Sequence, residues 1–146
     1  MNKYDSLLLK NQLCFPLYAV SNKIIRKYKP LLDDLNLTYT QYITMMVLWE
    51  RKAVNERELC DTLKLQSNTV TPLLQRLKQK GFIKIDKSLN DKRNLVISLT
   101  EEGLKLKDKA INVPPSIAVE FNLTNDEVMF LYSVLYKILD YEKDEE

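Results

Sequence analysis

A chain of 146 residues and 17.2 kDa has room for one ordinary domain, and 45% apolar with 29% charged residues is the make-up of a folded soluble protein. Histidine is absent and glycine and cysteine occur twice each, which removes the commonest metal ligand, any Ser-His-Asp triad, a glycine-rich phosphate loop and a tetrahedral zinc site; no metal, no cofactor and no enzymatic activity are expected. The net charge of +2 is unevenly spread: Lys64 to Arg93 holds eight basic against two acidic residues, and Glu120 to Glu146 holds eight acidic against two basic, so the middle of the chain alone suits a polyanion.

The N-terminal MNKYDSLLLK begins with polar and charged residues, and no run of eighteen apolar residues follows. Neither a secretory signal nor a membrane span is expected, and the cytoplasm is the expected location. From about Leu7 to Leu35, Leu13, Leu17, Val20, Ile24 and Tyr28 recur at three- and four-residue steps, the period of a long helix. Pro16 either kinks that helix or marks its true start, and Pro30 falls near its end. Thr38 and Gln41 have the spacing of a capping box for a second helix through Glu50, with Tyr42, Met45, Met46 and Trp49 on its core face. Asn55 caps a short helix to Leu63, with Glu58 at the third position. Ser67 or Thr71 caps the next helix, whose first turn Pro72 loosens and whose stop is Gly81.

Beyond Gly81 the period falls to two. Phe82, Ile83 and Ile85, then Leu95, Val96, Ile97 and Leu99, flank the polar run Lys87 to Asn94, which reads as a hairpin with a long charged tip. Thr100 caps a further helix with Glu101 and Glu102 in its first turn, and Pro114-Pro115 interrupts it. A last helix follows Thr124 and Glu127 and carries Val128, Leu131, Leu135, Ile138 and Leu139.

Helix, short helix, helix, strand, strand is the order of a winged helix-turn-helix. The fold class expected is therefore mainly α: a single domain, 1–146, with a winged helix-turn-helix DNA-binding core over 37–100 and long N- and C-terminal dimerisation helices over 6–35 and 101–143. The long helices carry apolar stripes that so short a chain leaves partly uncovered, and a second copy is the simplest cover. A two-fold dimer presents two recognition helices to half-sites one helical turn apart, so the expected partner is a pseudo-palindromic operator in double-stranded DNA.

In the recognition segment Val70, Leu73, Leu74 and Leu77 take the core face. Ser67, Asn68, Thr69, Thr71, Gln75, Arg76 and Lys78 are left for the groove or its phosphates. Arg76 suits either a guanine or a phosphate, and capping alone also accounts for Ser67 or Thr71. At the hairpin tip, beside Asp91 and Lys92, Arg93 suits a narrow A·T-rich minor groove.

The stretch Leu59 to Gly81, with Asp91-Lys92-Arg93-Asn94 and Leu99-Thr100-Glu101-Glu102-Gly103, resembles the MarR-type winged-helix transcriptional regulators over nearly the whole chain. More narrowly, Asn11 to Phe15, Leu37 to Tyr42 and Asn68 to Leu74 resemble the OhrR-like branch that senses organic hydroperoxides through one cysteine. The resemblance implies a homodimeric repressor in which Asp91 orients Arg93 rather than touching DNA. It implies further that Cys14 is the reactive thiol at the dimer interface, hydrogen-bonded by Tyr28 and Tyr39 across the subunit boundary.

Such a thiol would be oxidised by an organic hydroperoxide to a sulfenic acid, which a low-molecular-weight thiol then caps. Judged by Leu13, Phe15 and Leu17 alone, Cys14 reads equally as an inert small hydrophobe, and Pro16 departs from the unbroken helix usual in the family. Cys60, with Leu59 and Leu63, reads as core. Competing readings are a regulator of the same fold answering to small phenolic or aromatic ligands, a thiol peroxidase using Cys14, and a helical adaptor with no DNA role.

Overall fold

The structure, a computed structural model, describes residues 2–91 and 93–141. Lys92, the end of the helix expected to reach 143 and the acidic tail from 142 lie outside the described residues. The chain forms two compact units, Met1–Pro114 and Pro115–Glu146.

In the first unit two 3-10 turns, Asp5–Leu7 and Leu9–Asn11, precede helix α1, Cys14–Asp33. The helix expected from Leu7 thus begins at Cys14. Pro16 is its third residue, where an amide has no partner inside the helix, so the proline marks a start and not a kink. The Gln12 amide holds the preceding turns by donating to the carbonyls of Ser6 and Leu8.

Helix α2, Tyr39–Arg51, opens on the expected capping box: Thr38 accepts from the Gln41 amide, and the Gln41 side chain accepts from the Thr38 amide at 3.1 Å. Its buried stripe runs through Gln41, Thr44, Met45 and Leu48. Met46, expected in the core, is exposed, because the stripe is centred one residue away from it. Asn55 caps α3, Glu56–Leu63, by accepting from the Glu58 amide at 2.8 Å.

Helix α4 spans Ser67–Gln79 with Gln66 at the N-cap and no side chain capping it. Ser67 and Thr71 are both inside the helix, contrary to their reading as caps. Pro72 is the sixth helical residue and has no amide hydrogen for the Asn68 carbonyl. The far end closes as expected: Gly81, at φ +82°, sends its amide to Lys78, and the Phe82 amide reaches Leu77, a Schellman stop.

The wing is β2, Ile83–Lys87, against β3, Leu95–Leu99, with Ile85 opposite Ile97. A third strand, β1 (Ala53–Asn55), pairs antiparallel with β3 and sets Val54 opposite Ile97. It escaped the sequence reading because three residues are too few to show a period, and its partner is far along the chain. Met45, Leu48, Leu59, Val70, Leu77 and Ile97 are fully buried together, each worth about 1.5–3 kcal/mol of transfer free energy at full burial.

Helix α5, Glu101–Ala110, is seamed to the wing at its first turn. The Thr100 hydroxyl accepts from the Gly103 amide at 3.0 Å and donates to the Gly81 carbonyl, while the Trp49 indole donates to the Gly103 carbonyl at 2.9 Å. Gly103 has to be a glycine, since a Cβ there would lie 2.0 Å from the Phe82 carbonyl oxygen. As expected, the helix begun at Thr100 does not run through Pro114-Pro115: α5 ends at Ala110, whose carbonyl Pro114 has no amide hydrogen to meet, and both prolines sit in the first turn of a separate helix, α6, Val113–Ala118. In the second unit α7, Asn125–Leu139, carries the expected Thr124–Glu127 capping box and has no buried residue.

The Phe82 carbonyl also accepts from the Thr100 amide, so it cannot retreat from a new methyl without losing that bond. Gly103→Ala is expected to destabilise the fold by about 1–3 kcal/mol, the usual cost of overpacking, seen as a fall of several degrees in thermal midpoint. An unchanged midpoint would refute the close approach.

Candidate nucleic-acid interface and redox site

The first turn of α3, the start of α4 and the wing enclose a cleft of about 800 Å3, lined among others by Arg57, Ser67, Asn68 and Arg93. Helix α4 is set as its apolar spacing predicts: Val70, Leu73, Leu74 and Leu77 are buried, and Ser67, Asn68, Thr69, Thr71, Gln75, Arg76 and Lys78 are exposed. The structure brings Ser67, Asn68 and Arg93 to one cleft and spreads Gln75, Arg76 and Lys78 along the helix away from it. Thr71 already has a partner, Glu56, to which its hydroxyl donates at 2.5 Å.

Arg57 was missed by the sequence reading. Its exposed position on α3, off the Leu59 side, is the signal that could have found it. Lys80 is directed to acceptors of its own chain instead. Its ammonium donates to the Asn36 carbonyl at 2.7 Å and to Gln41 at 2.8 Å, and burial, then the nearby Arg76, push its pKa below the ordinary lysine value.

In the wing the Asp91 carboxylate accepts from the Arg93 backbone amide at 3.0 Å, and the Asp91 carbonyl accepts from the Asn94 amide at 3.0 Å. Asp91 therefore fixes the backbone from which Arg93 projects. Lys92, expected beside them, lies outside the described residues.

Cys14 is the first residue of α1 and exposed. Tyr28 is fourteen residues further along the same helix, about 21 Å at 1.5 Å per residue. The structure thus brings Tyr28 and Tyr39 together but keeps Cys14 of the same chain away from both. The two rings lie 5.1 Å apart, and Tyr42 stands 5.8 Å from Tyr28 and 6.5 Å from Tyr39.

Burial raises all three phenols above 10.0, helped at Tyr28 by Tyr39 and Tyr42 and at Tyr42 by Tyr39. They remain O–H donors through the physiological range. Cys60 packs partly buried against the core while also lining the cleft. Burial, then Glu56 and Asp61, push its thiol up, which disfavours the nucleophilic thiolate there.

A family model described as transcriptional regulator SarA/Rot matches residues 26–110. The organic hydroperoxide resistance transcriptional regulator of Bacillus subtilis is 42% identical over 139 residues, covering 95% of each chain. AbfR of Staphylococcus epidermidis superimposes with a TM-score of 0.75 at 35% identity, covering 94% of this chain and 95% of that one, and has been solved bound to DNA both reduced and overoxidized. A cysteine-to-serine mutant of MarR from E. coli, complexed with operator DNA, superimposes with a TM-score of 0.83 at 25% identity, covering 95% and 99%. These relatives are regulators and not enzymes.

Because the folded pKa of Tyr28, Tyr39 and Tyr42 is raised above the unfolded value, the stability these phenols contribute is intact below about pH 10 and is lost as pH rises through their folded values. Alkaline titration followed by tyrosinate absorbance is expected to show late protons among the eight tyrosines, with Tyr28→Phe and Tyr39→Phe each removing one. A single step for all eight near the ordinary value would contradict the cluster.

Proposed function

The chain belongs to the SarA/Rot family of MarR-type winged-helix transcriptional regulators, and from that membership we propose a homodimeric repressor that leaves its operator when an organic hydroperoxide oxidises Cys14. The observation that carries this reading is the exposed thiol at the head of α1, set among side chains the chain itself does not cover. Leu13, Phe15 and Leu17 beside it are exposed, as are Val128, Phe130, Leu131, Tyr132 and Tyr136 of α7.

A second copy covers these apolar residues and brings the partner subunit's Tyr28 and Tyr39 to Cys14. It also offers two α4 helices and two wings to one duplex. The operator-bound MarR and DNA-bound AbfR support the DNA partner, and the B. subtilis relative's name supports the class of oxidant.

Each component has a stated part. Exposed Ser67, Asn68 and Thr69 at the open start of α4 offer short donors to phosphates and base edges. Arg93, held from behind by Asp91, reaches for the minor groove. At the sensor the thiolate attacks one peroxide oxygen; the O–O bond breaks, sulfur is oxidised to the sulfenate, and the alkoxide takes a proton and leaves as alcohol. The phenols of the partner subunit's Tyr28 and Tyr39 donate to the thiolate. A low-molecular-weight thiol then attacks the sulfenic sulfur, expelling water and leaving a mixed disulfide. That adduct replaces the phenol contacts and biases the dimer toward a state whose wings no longer match the operator.

The phenolic-ligand alternative makes Cys14 a bystander, so the response of Cys14→Ser separates the two. With about four phosphates neutralised per subunit, log affinity is expected to fall against log salt with a slope of about −7. Stoichiometric cumene hydroperoxide with a small thiol is expected to weaken operator binding about 5- to 150-fold, the usual span of allosteric coupling, and to leave Cys14→Ser unaffected. Release of Cys14→Ser by the same treatment would refute the thiol switch.

A further inference from the structure

We propose that Glu56 sets sequence specificity through Thr71. By taking the hydrogen of the Thr71 hydroxyl it makes that oxygen an acceptor, so Thr71 recognises an exocyclic amino group of adenine or cytosine in the major groove and not a phosphate oxygen. The inference rests on the reading that α4 enters the major groove of an operator.

Its basis is one contact between two helices. The Thr71 hydroxyl donates to Glu56 Oε1 at 2.5 Å. Glu56 is the first residue of α3 and lines the cleft in front of α4. A hydroxyl has one hydrogen and two lone pairs, and a carboxylate has no hydrogen to return. With the hydrogen committed, the exposed Thr71 oxygen has acceptor capacity alone to offer a ligand.

Phosphates present only acceptors, and a phosphate here would also face the Glu56 charge. Among base edges in the major groove, adenine N6 and cytosine N4 carry the hydrogens such an oxygen needs. The backbone nearby adds to the same bias: Pro72 has no amide hydrogen for the Asn68 carbonyl, one turn toward the helix start. Ser67, Thr71 and Gln75 follow at four-residue steps and share one flank of α4, so the acceptor sits between two side chains already placed for the groove. Glu56 touches no base in this scheme and is a positioning residue.

The test uses the full-length protein and duplexes enriched by it from a random-sequence pool. Adenines are replaced one at a time by purine, and cytosines by pyrimidin-2-one, each lacking only the amino group. At one base pair in each half-site, loss of the amino group is expected to weaken wild-type binding about three- to tenfold, the span of a single hydrogen bond. Which analogue does so identifies the base. Thr71→Val is expected to lose the same factor on the unmodified duplex and nothing more on the modified one.

Glu56→Ala is expected to relax the preference at that pair while binding to random-sequence duplex is kept or strengthened, a negative charge having been removed. Thermal melts of both variants check that the fold is intact, and the analogue series on wild-type protein stands without either variant. The inference is overturned if no amino deletion reproduces the Thr71→Val loss. It is equally overturned if Thr71→Val weakens random and enriched duplexes alike and reduces the salt slope by about one, the mark of a phosphate contact. Failure of the underlying reading looks different: no duplex is bound even at 50 mM salt, and both then fall.

Discussion

Cys14 and Tyr28 are carried by one helix, fourteen residues apart, and an α-helix holds such residues about 21 Å from each other. No rotamer closes that distance. A thiol that uses the Tyr28–Tyr39 pair must therefore take it from another copy of the chain, which makes oligomerisation part of the chemistry. In the proposed dimer, the same helix that keeps the two apart within a subunit would let a two-fold partner supply the tyrosines at one end to the cysteine at the other. Oxidation at that junction would then act on both subunits of the proposed dimer at once, which is what a switch on paired wings requires.

The first unit is tightly tied together where its elements meet. Trp49 of α2 donates to the Gly103 carbonyl, Thr100 ties the first turn of α5 to Gly81, and Gly103 lies against the Phe82 backbone too closely for any side chain. α2, the stop of α4, the wing and α5 meet at this seam. The sheet β1–β3–β2 adds the segment before α3 to the wing. A shift imposed on one of these elements is therefore shared with the others, because packed interiors deform little. Lys80 extends the seam toward α1 by bonding to the Asn36 carbonyl.

Much of this was legible because helix ends are local events. Thr38 with Gln41, Asn55 with Glu58, Thr100 with Gly103 and Thr124 with Glu127 all cap as their three-residue spacing says, since donor and acceptor lie within one turn. The buried face of α4 followed from its apolar steps. What failed was set by distant partners or by rival local signals. β1 exists because β3 is there to pair with. Met46 is exposed because the neighbours of α2 lie one residue away. Ser67 had the composition of a cap but is the first residue of a helix whose N-cap is Gln66. At the site, Arg93, Ser67 and Asn68 were placed by pattern and family likeness, whereas Arg57 and the Glu56–Thr71 bond depend on α3 meeting α4 across fifteen residues of chain, which no periodicity announces.

Mixed dimers test the shared site most directly. Subunits carrying Cys14→Ser are combined with subunits carrying Tyr28→Phe and Tyr39→Phe, and the rate at which organic hydroperoxide oxidises the remaining Cys14 is followed by mass. If the tyrosines act across the boundary, each mixed dimer holds one complete site, and its Cys14 is expected to react at the wild-type rate. Reaction as slow as in the homodimer lacking both phenols would mean that each thiol depends on its own chain, and would contradict the shared site.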